Sequence, residues 1–276
     1  MDHSELVAAG IVQVPEQIID LIARGAIFVI NHSGGKDSQA MYLMLRDLVP
    51  AAQRVIVHAD LGRAEWAGAV EHIESTTAGE PMHVCRARRD LLQVTGERGM
   101  FPSPQQRWCT SDLKRGPITK VIRHLTYTRK AADDPAWGLV VNCQGLRADE
   151  SPNRKKMVPL KFDEKNSKAG RMWYEWLPVH SWTEQEVFGR IAAAGQKPHK
   201  IYGLGMGRFS CVFCIYAPPE QLKLAAELVR DQPSLARDPN VYRDYVNAER
   251  STGQVMIMPS KKHGQQTLEQ ITGVPA

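Results

Sequence analysis

The chain alternates short apolar runs with longer stretches in which apolar residues return every three or four positions. AIFVIN (26–31), RVIVHAD (54–60) and GLVVNC (138–143) are nearly continuous apolar runs, the pattern of strands buried on both faces. PMHVC (81–85) reads as a further short strand. PEQIIDLIAR (15–24), SQAMYLMLRDL (38–48), AEWAGAVEHIESTT (64–77) and DLLQVTG (90–96) carry helical spacing. Pro15 and Gly25 mark the limits of the first of these helices. Strand and helix in alternation predict an α/β fold: an open, largely parallel twisted sheet with helices on both faces.

The pattern changes near residue 150. A basic, loop-rich stretch (NRKKM, DEKNSKAGR) leads into RMWYEWLPV, and Thr183 to Glu186 then opens a helix as a capping box. From Pro218 to about Arg250 the spacing is helical again. The expected organisation is a helical segment (1–25), a catalytic domain (26–217) and a helical, partly loop-rich C-terminal extension (218–276). Internal repeats and low-complexity segments are absent from the sequence.

Composition narrows the class. Of 276 residues, 43% are hydrophobic and 24% charged, as in ordinary globular proteins rather than fibrous or disordered ones. No apolar run reaches the roughly 18 residues needed to span a membrane. MDHSELVAAG lacks the basic-then-apolar order of a secretory leader, so the expectation is a cytoplasmic protein with no membrane partner. A formal charge of +5 tolerates a polyanionic partner without requiring one. Five cysteines, an odd number, do not form a disulfide framework.

The stretch Ser33-Gly34-Gly35-Lys36-Asp37-Ser38 stands between the first strand and the following helix. Adjacent glycines are costly inside an element and belong where the backbone turns sharply or something comes close. At the carboxyl end of a parallel strand and the start of a helix, exposed amides and the helix dipole attract anions. Lys36 adds a point charge there; Ser33 and Ser38 add hydroxyl donors. The spacing is neither that of the Walker loop nor that of G-x-G-x-x-G.

SGGKDS resembles the PP-loop of the ATP pyrophosphatase superfamily (adenine nucleotide alpha hydrolase-like), as found in the phosphoadenosine phosphosulfate (PAPS) reductase family. Further segments resemble that family in the expected order: VHADLGRAEW (57–66), RWCTSDLKRGPI (107–118), GLRADESPNR (145–154), WLPVHSWTEQEVF (176–188) and GMGRFSCVFC (205–214). Any one is a weak signal; the ordered set is specific. The resemblance implies that Ser33, Gly34, Gly35, Lys36, Asp37 and Ser38 grip the phosphates of ATP or PAPS, with Asp37 at the phosphate or Mg²⁺ end. It makes Asp60 a nucleotide contact and places Lys114, Arg147 and Arg154 around the phosphates, with Lys36, Asp37, Arg147 and Arg154 as the catalytic set. Arg107 recurs in a matched segment, and Glu150 orients Arg147 or Arg154 or caps a loop. Arg86, Arg88 and Arg89 match nothing and read as solvated surface.

Cys211 and Cys214 form a Cys-x-x-Cys pair, which suits a metal, a cluster or a redox disulfide. The resemblance brings Cys109 to the same place, and three cysteines imply an iron–sulfur cluster, with zinc as the runner-up. The fourth ligand is then Cys143 or Cys85, which otherwise are core residues; for zinc, His180 or His199 could serve. One departure matters. The assimilatory reductases use a nucleophilic cysteine in a C-terminal tail, and this sequence has none after Cys214. The expectation is therefore an enzyme that cleaves the α–β bond of ATP to activate a second substrate for sulfur transfer, in the manner of the DNA phosphorothioation ATP pyrophosphatases and tRNA thiolation enzymes. A PAPS or adenylylsulfate reductase and a non-catalytic nucleotide-binding module are the alternatives. A sulfur-donor protein is an implied partner. A nucleic acid would suit the basic segment 154–171, and Trp173, Tyr174 and Trp176 either stack bases or bury one face of a strand. Oligomeric state leaves no mark in the sequence.

Overall fold

A computed structural model describes residues 14–77, 79–209, 211–259 and 264–276. Helix α1 (Glu16–Ala23) precedes β1 (Ile27–Asn31), α2 (Lys36–Leu48) and β2 (Arg54–Asp60). Next come α3 (Ala69–Thr76), β3 (Met82–Arg86) and α4 (Leu91–Arg98). A helical turn at Trp108–Thr110 and a π-helical stretch at Ser111–Arg115 run into α5 (Gly116–Ala131). Strands β4 (Leu139–Gln144), β5 (Leu160–Phe162) and β6 (Met172–Trp176) follow, then α6 (Glu184–Ala193), α7 (Pro219–Asp231), α8 (Val241–Thr252) and α9 (Leu268–Thr272).

The strands form one six-stranded sheet in the order β3-β2-β1-β4-β6-β5. β1 pairs in parallel with both β2 and β4, with Val29 opposite Val55 on one side and Asn142 on the other. β4 and β6 are also parallel, and β5 closes the edge antiparallel to β6. The continuous apolar runs thus mark the strands that have neighbours on both sides and helices over their faces, as parallel sheets require.

By compactness the chain divides into two units that interleave along the sequence. The first comprises Met1–His58, Ile73–His83 and Lys120–Pro198; the second comprises Ala59–His72, Val84–Thr119 and His199–Ala276. The first unit's core packs α1, α2 and α6 against the sheet through Leu21, Phe28, Ile30, Leu43, Val141, Trp176 and Ile191. Trp173, Tyr174 and Trp176 are buried on β6, so of the two readings burial holds. The second unit has its own core, including Trp66, Leu91, Phe213, Leu222, Tyr245 and Leu268.

Some elements differ from the sequence pattern. The helix expected over 64–77 is confined to Ala69–Thr76, because Gly62–Ala64 forms a 3₁₀ turn and Gly68 takes a positive φ of 82°. The helical stretch from Pro218 to about Arg250 is divided between α7 and α8, with Pro233 and Pro239, which cannot continue a helix, between them. Helix α5, 16 residues long, was not foreseen. Its apolar face is thin: Ile122 is buried while Tyr127 is 71% exposed.

Candidate functional site

The glycine loop lies in the first unit, at the carboxyl end of β1. His32 N–H donates to Val57 O at 3.0 Å and continues the ladder for one residue before the chain turns. Gly34 makes that turn with φ +83°, a conformation that a side chain would strain. Gly35 is the N-cap of α2 in extended geometry and brings no side chain to cap the helix. The loop amides are held by side chains rather than by carbonyls. Gly34 N–H donates to His32 Nδ1 (3.1 Å), Ser33 N–H to Ser38 Oγ (3.2 Å) and Gly35 N–H to Ser33 Oγ (3.4 Å). Side-chain acceptors leave by rotation alone, so an anion can claim these amides without breaking secondary structure. Ser38 also donates to Gly35 O at 2.9 Å.

The charged residues of the loop are tied down. Lys36 is 2% exposed; its Nζ lies 3.1 Å from Glu184 Oε1 and 3.7 Å from Asp37 Oδ2, and it rests over the Phe188 ring. Arg147 is 3% exposed and donates to Asp37 Oδ1 (2.5 Å), Asp149 Oδ2 (2.5 Å) and Trp182 O (3.2 Å). Burial alone would lower the Arg147 pKa; the carboxylates of Asp37 and Asp149 outweigh it and raise the pKa above the ordinary value. Glu150 serves both arginines: its Oε2 accepts the Arg147 backbone N–H at 3.0 Å and the Arg154 guanidinium. Gly145 lets this strand end approach α2. A Cβ there would stand 3.0 Å from Asp37 C, Asp37 O and Ser38 N.

Lys36, Asp37 and Arg147, named from the sequence, therefore meet in one network. Glu184, Asp149 and the Trp182 carbonyl complete it, and sequence reasoning missed them. The sequence marks Glu184 only as part of the Thr183–Glu186 capping box, which does form, with Thr183 Oγ1 accepting from Glu186 N–H at 3.2 Å.

The second unit gathers other residues. Both oxygens of Asp60 are engaged: Oδ1 accepts from Gly62 N–H (2.7 Å) and Arg237 Nη1 (2.6 Å), and Oδ2 from Arg86 Nη2 (2.5 Å). Burial pushes its carboxyl up, but these donors outweigh it and hold it below the usual range. Arg86 thus corrects its reading as plain solvated surface, since half its side chain is exposed and the rest answers a buried acid. Arg89 is exposed and pairs with Glu97.

Cys109, Cys211 and Cys214 all belong to the second unit, with Cys109 and Cys211 packed against its core and Cys211 within electrostatic reach of the other two. Burial pushes Cys211 up to about 12, Lys114 pulls it back, and Cys214, Cys109 and Glu65 add to the rise. Burial raises Cys109 too, again opposed by Lys114. So Lys114 stands with the thiols. Tyr245 packs beside them, its ring 5.4 Å from that of Phe213 and 6.0 Å from that of Phe101. It is 1% exposed, and among the described residues its hydroxyl has no hydrogen-bond partner. Among the described residues, no group of three or more His, Cys, Asp or Glu side chains is arranged to hold a metal ion as it stands.

The remaining ligand candidates are otherwise occupied. Cys143 is fully buried on β4 in the first unit's core, and Cys85 is half-buried on β3, where burial and then Asp60 raise its thiol to about 11. His180 Nε2 is bonded to Arg154 O, and His199 has both ring nitrogens engaged by backbone, Nε2 at Ala67 O and Nδ1 at Ile201 N–H.

Comparison with known proteins adds the following. A family model for the phosphoadenosine phosphosulfate reductase domain matches residues 27–217. An uncharacterized 37.8 kDa protein of Escherichia phage 186 is 31% identical over 141 residues, which are 48% of this chain and 39% of that protein's length. Among solved structures, PAPS reductase from Candida auris, in a phosphate complex, is similar at 11% identity and a TM-score of 0.48, covering 76% of this chain and 96% of the other. FMN adenylyltransferase of Candida glabrata, with FAD and inorganic pyrophosphate, gives 12% identity and a TM-score of 0.41, over 68% of this chain and 55% of the other. The U34-tRNA thiolase NcsA of Methanococcus maripaludis, with its [4Fe-4S] cluster, gives 12% and 0.38, over 93% and 87%.

Proposed function

The chain belongs to the phosphoadenosine phosphosulfate reductase domain family, and from that premise we propose that it binds ATP at the glycine loop and cleaves the α–β phosphate bond. One observation carries the reading. An uncapped helix start follows a left-handed glycine at the end of a central parallel strand, with a buried lysine and a buried arginine beside it. In the proposed reaction an oxygen of the second substrate attacks the α-phosphorus. The bond to the β-phosphate oxygen breaks, and the electron pair leaves with pyrophosphate. Lys36 and Arg147 stabilise the charge that develops, and Arg154 joins them through Glu150, which accepts from the Arg147 backbone N–H and from the Arg154 guanidinium. Mg²⁺ would be held by the phosphates and Asp37 and would spread the leaving group's charge.

A sulfide-level sulfur nucleophile then attacks the carbon that bears the adenylylated oxygen, and AMP leaves with that oxygen and the electron pair; a sulfur-donor protein is the implied partner. Cys109, Cys211 and Cys214 are the proposed sulfur-handling residues. An iron–sulfur cluster is the group proposed for these cysteines, with zinc as the runner-up. The reductase alternative needs a thiolate nucleophile from Cys109, Cys211 or Cys214, and burial raises the first two thiols, which disfavours that form.

The test is pyrophosphate release from ATP by wild-type protein and Lys36→Ala, with iron and acid-labile sulfide measured on the same anaerobic preparations. Lys36→Ala is expected to weaken ATP binding tens-fold or more, from a charged contact worth ~2 kcal/mol. Sulfite from PAPS with a thiol donor, and no pyrophosphate from ATP, would establish the reductase instead. Unchanged affinity in Lys36→Ala would remove the site, and colourless protein with stoichiometric zinc would remove the cluster.

A further inference from the structure

The ion pairs around the glycine loop are unbalanced in a telling way. Lys36 and Arg147 face the carboxylates of Asp37, Asp149 and Glu184, so three acids answer two cations. The cations are the buried partners: side-chain exposure is 3% for Lys36 and 4% for Arg147. The acids are not alike. Asp37 is 19% exposed, whereas Glu184 is 56% and Asp149 46% exposed. A buried ammonium has no route to water in place, but an exposed carboxylate on the first turn of a helix has one. If a phosphate approaches Lys36, the group that gives way is Glu184.

The geometry points to Glu184 as a resident stand-in for a phosphate: it neutralises Lys36 and must be displaced when a nucleotide loads. This inference rests on the nucleotide reading above and goes beyond it, because it makes Glu184 a specificity-determining residue. A ligand without an anionic tail cannot displace Glu184, so adenosine gains nothing from the loop. A nucleotide with phosphates exchanges one anion for another and leaves the lysine paired throughout. Asp149 plays the same part for Arg147 from the other side, more weakly, because Arg147 keeps Asp37 and the Trp182 carbonyl when Asp149 leaves.

Isothermal titration with ATP and with adenosine, on wild-type protein, Glu184→Gln and Glu184→Asp, tests this. Glu184→Gln removes the competing charge and keeps the size of the side chain. It is expected to bind ATP about three- to tenfold more tightly than wild type, the range set by a partly exposed ion pair, with adenosine affinity unchanged. Its melting temperature without ligand should fall, since Lys36 loses its nearest anion. Glu184→Asp keeps the charge at the helix start but shortens its reach, and should also tighten ATP binding. A merely structural role would lower stability and affinity together. If wild type binds ATP, Lys36→Ala weakens it, and neither Glu184 variant binds more tightly than wild type, the inference falls and the nucleotide site stands. If wild type does not bind ATP, both fall.

Discussion

Gly145 shows how much a single residue can fix. It carries no charge, but it sits where β4's end crosses the start of α2, and a methyl there meets backbone atoms at 3.0 Å. Backbone cannot move aside as a side chain would. Gly145→Ala is therefore expected to cost about 1–3 kcal/mol in urea unfolding and to weaken ATP binding by pushing Asp37 and Ser38 off their places. Unchanged unfolding would mean that the loop yields more readily than its contacts imply. At this scale the sequence was readable where chemistry is local. Gly34, Gly35, Lys36 and Asp37 lie in one string, and their types alone indicate a turn and an anion. Glu184 and Asp149 were not readable, because a salt bridge between distant segments leaves no trace in either. Arg86 was misread for the same reason: its partner, Asp60, lies on the neighbouring segment of the second unit.

Among elements, α6 links helix capping to the site. Thr183 Oγ1 accepts from Glu186 N–H, and Glu186 Oε2 accepts in return from Thr183 N–H at 2.6 Å. The first two turns carry Glu184 and Phe188, Glu184 paired with the Lys36 ammonium and Phe188 beneath it. Thr183→Ala should lower stability by about 1 kcal/mol, measured by thermal or urea unfolding, and should loosen the Lys36 pairing as the first turn frays. The buried strands were legible because a parallel strand with two neighbours must be apolar throughout. Helix α5 was not, since Trp108 to Arg115 enters it through a π-helical stretch that disrupts the 3.6-residue spacing. β5 is only three residues long and mostly exposed, too little for any periodicity to register.

For the molecule as a whole, pH tests the packing of the second unit. His199 is 3% exposed, stands 4.6 Å from the Phe209 ring and 5.3 Å from the His72 ring, and is satisfied as the neutral Nε2–H tautomer. Burial, then His72, lowers its pKa to about 4, and burial lowers that of His72 as well. The unfolded chain takes up these protons near pH 6.5 and the folded one does not. Their contribution to stability is therefore present above about pH 6.5 and lost as pH falls towards about 4. Between about pH 7.5 and about pH 5, His199 alone should account for roughly 2 kcal/mol of that loss. Urea midpoints at the two values measure it. His199→Gln should be less stable at the higher pH and show a flatter acid limb; an equally steep limb would assign the loss to other groups.

The family match stops at residue 217, but the second unit's core includes Leu222, Tyr245, Leu268 and Val274. Homology and foldability thus have different borders. Chains grow from the amino end, and domains generally fold as units once their residues have emerged. The first unit can close only after Pro198 has left the ribosome, while the segments Ala59–His72 and Val84–Thr119 wait, their apolar side chains uncovered, for the last helix to arrive. Nascent chains of this protein carry an unfinished hydrophobic surface until the segment with Leu268 and Val274 has emerged, and chaperones would find their target there.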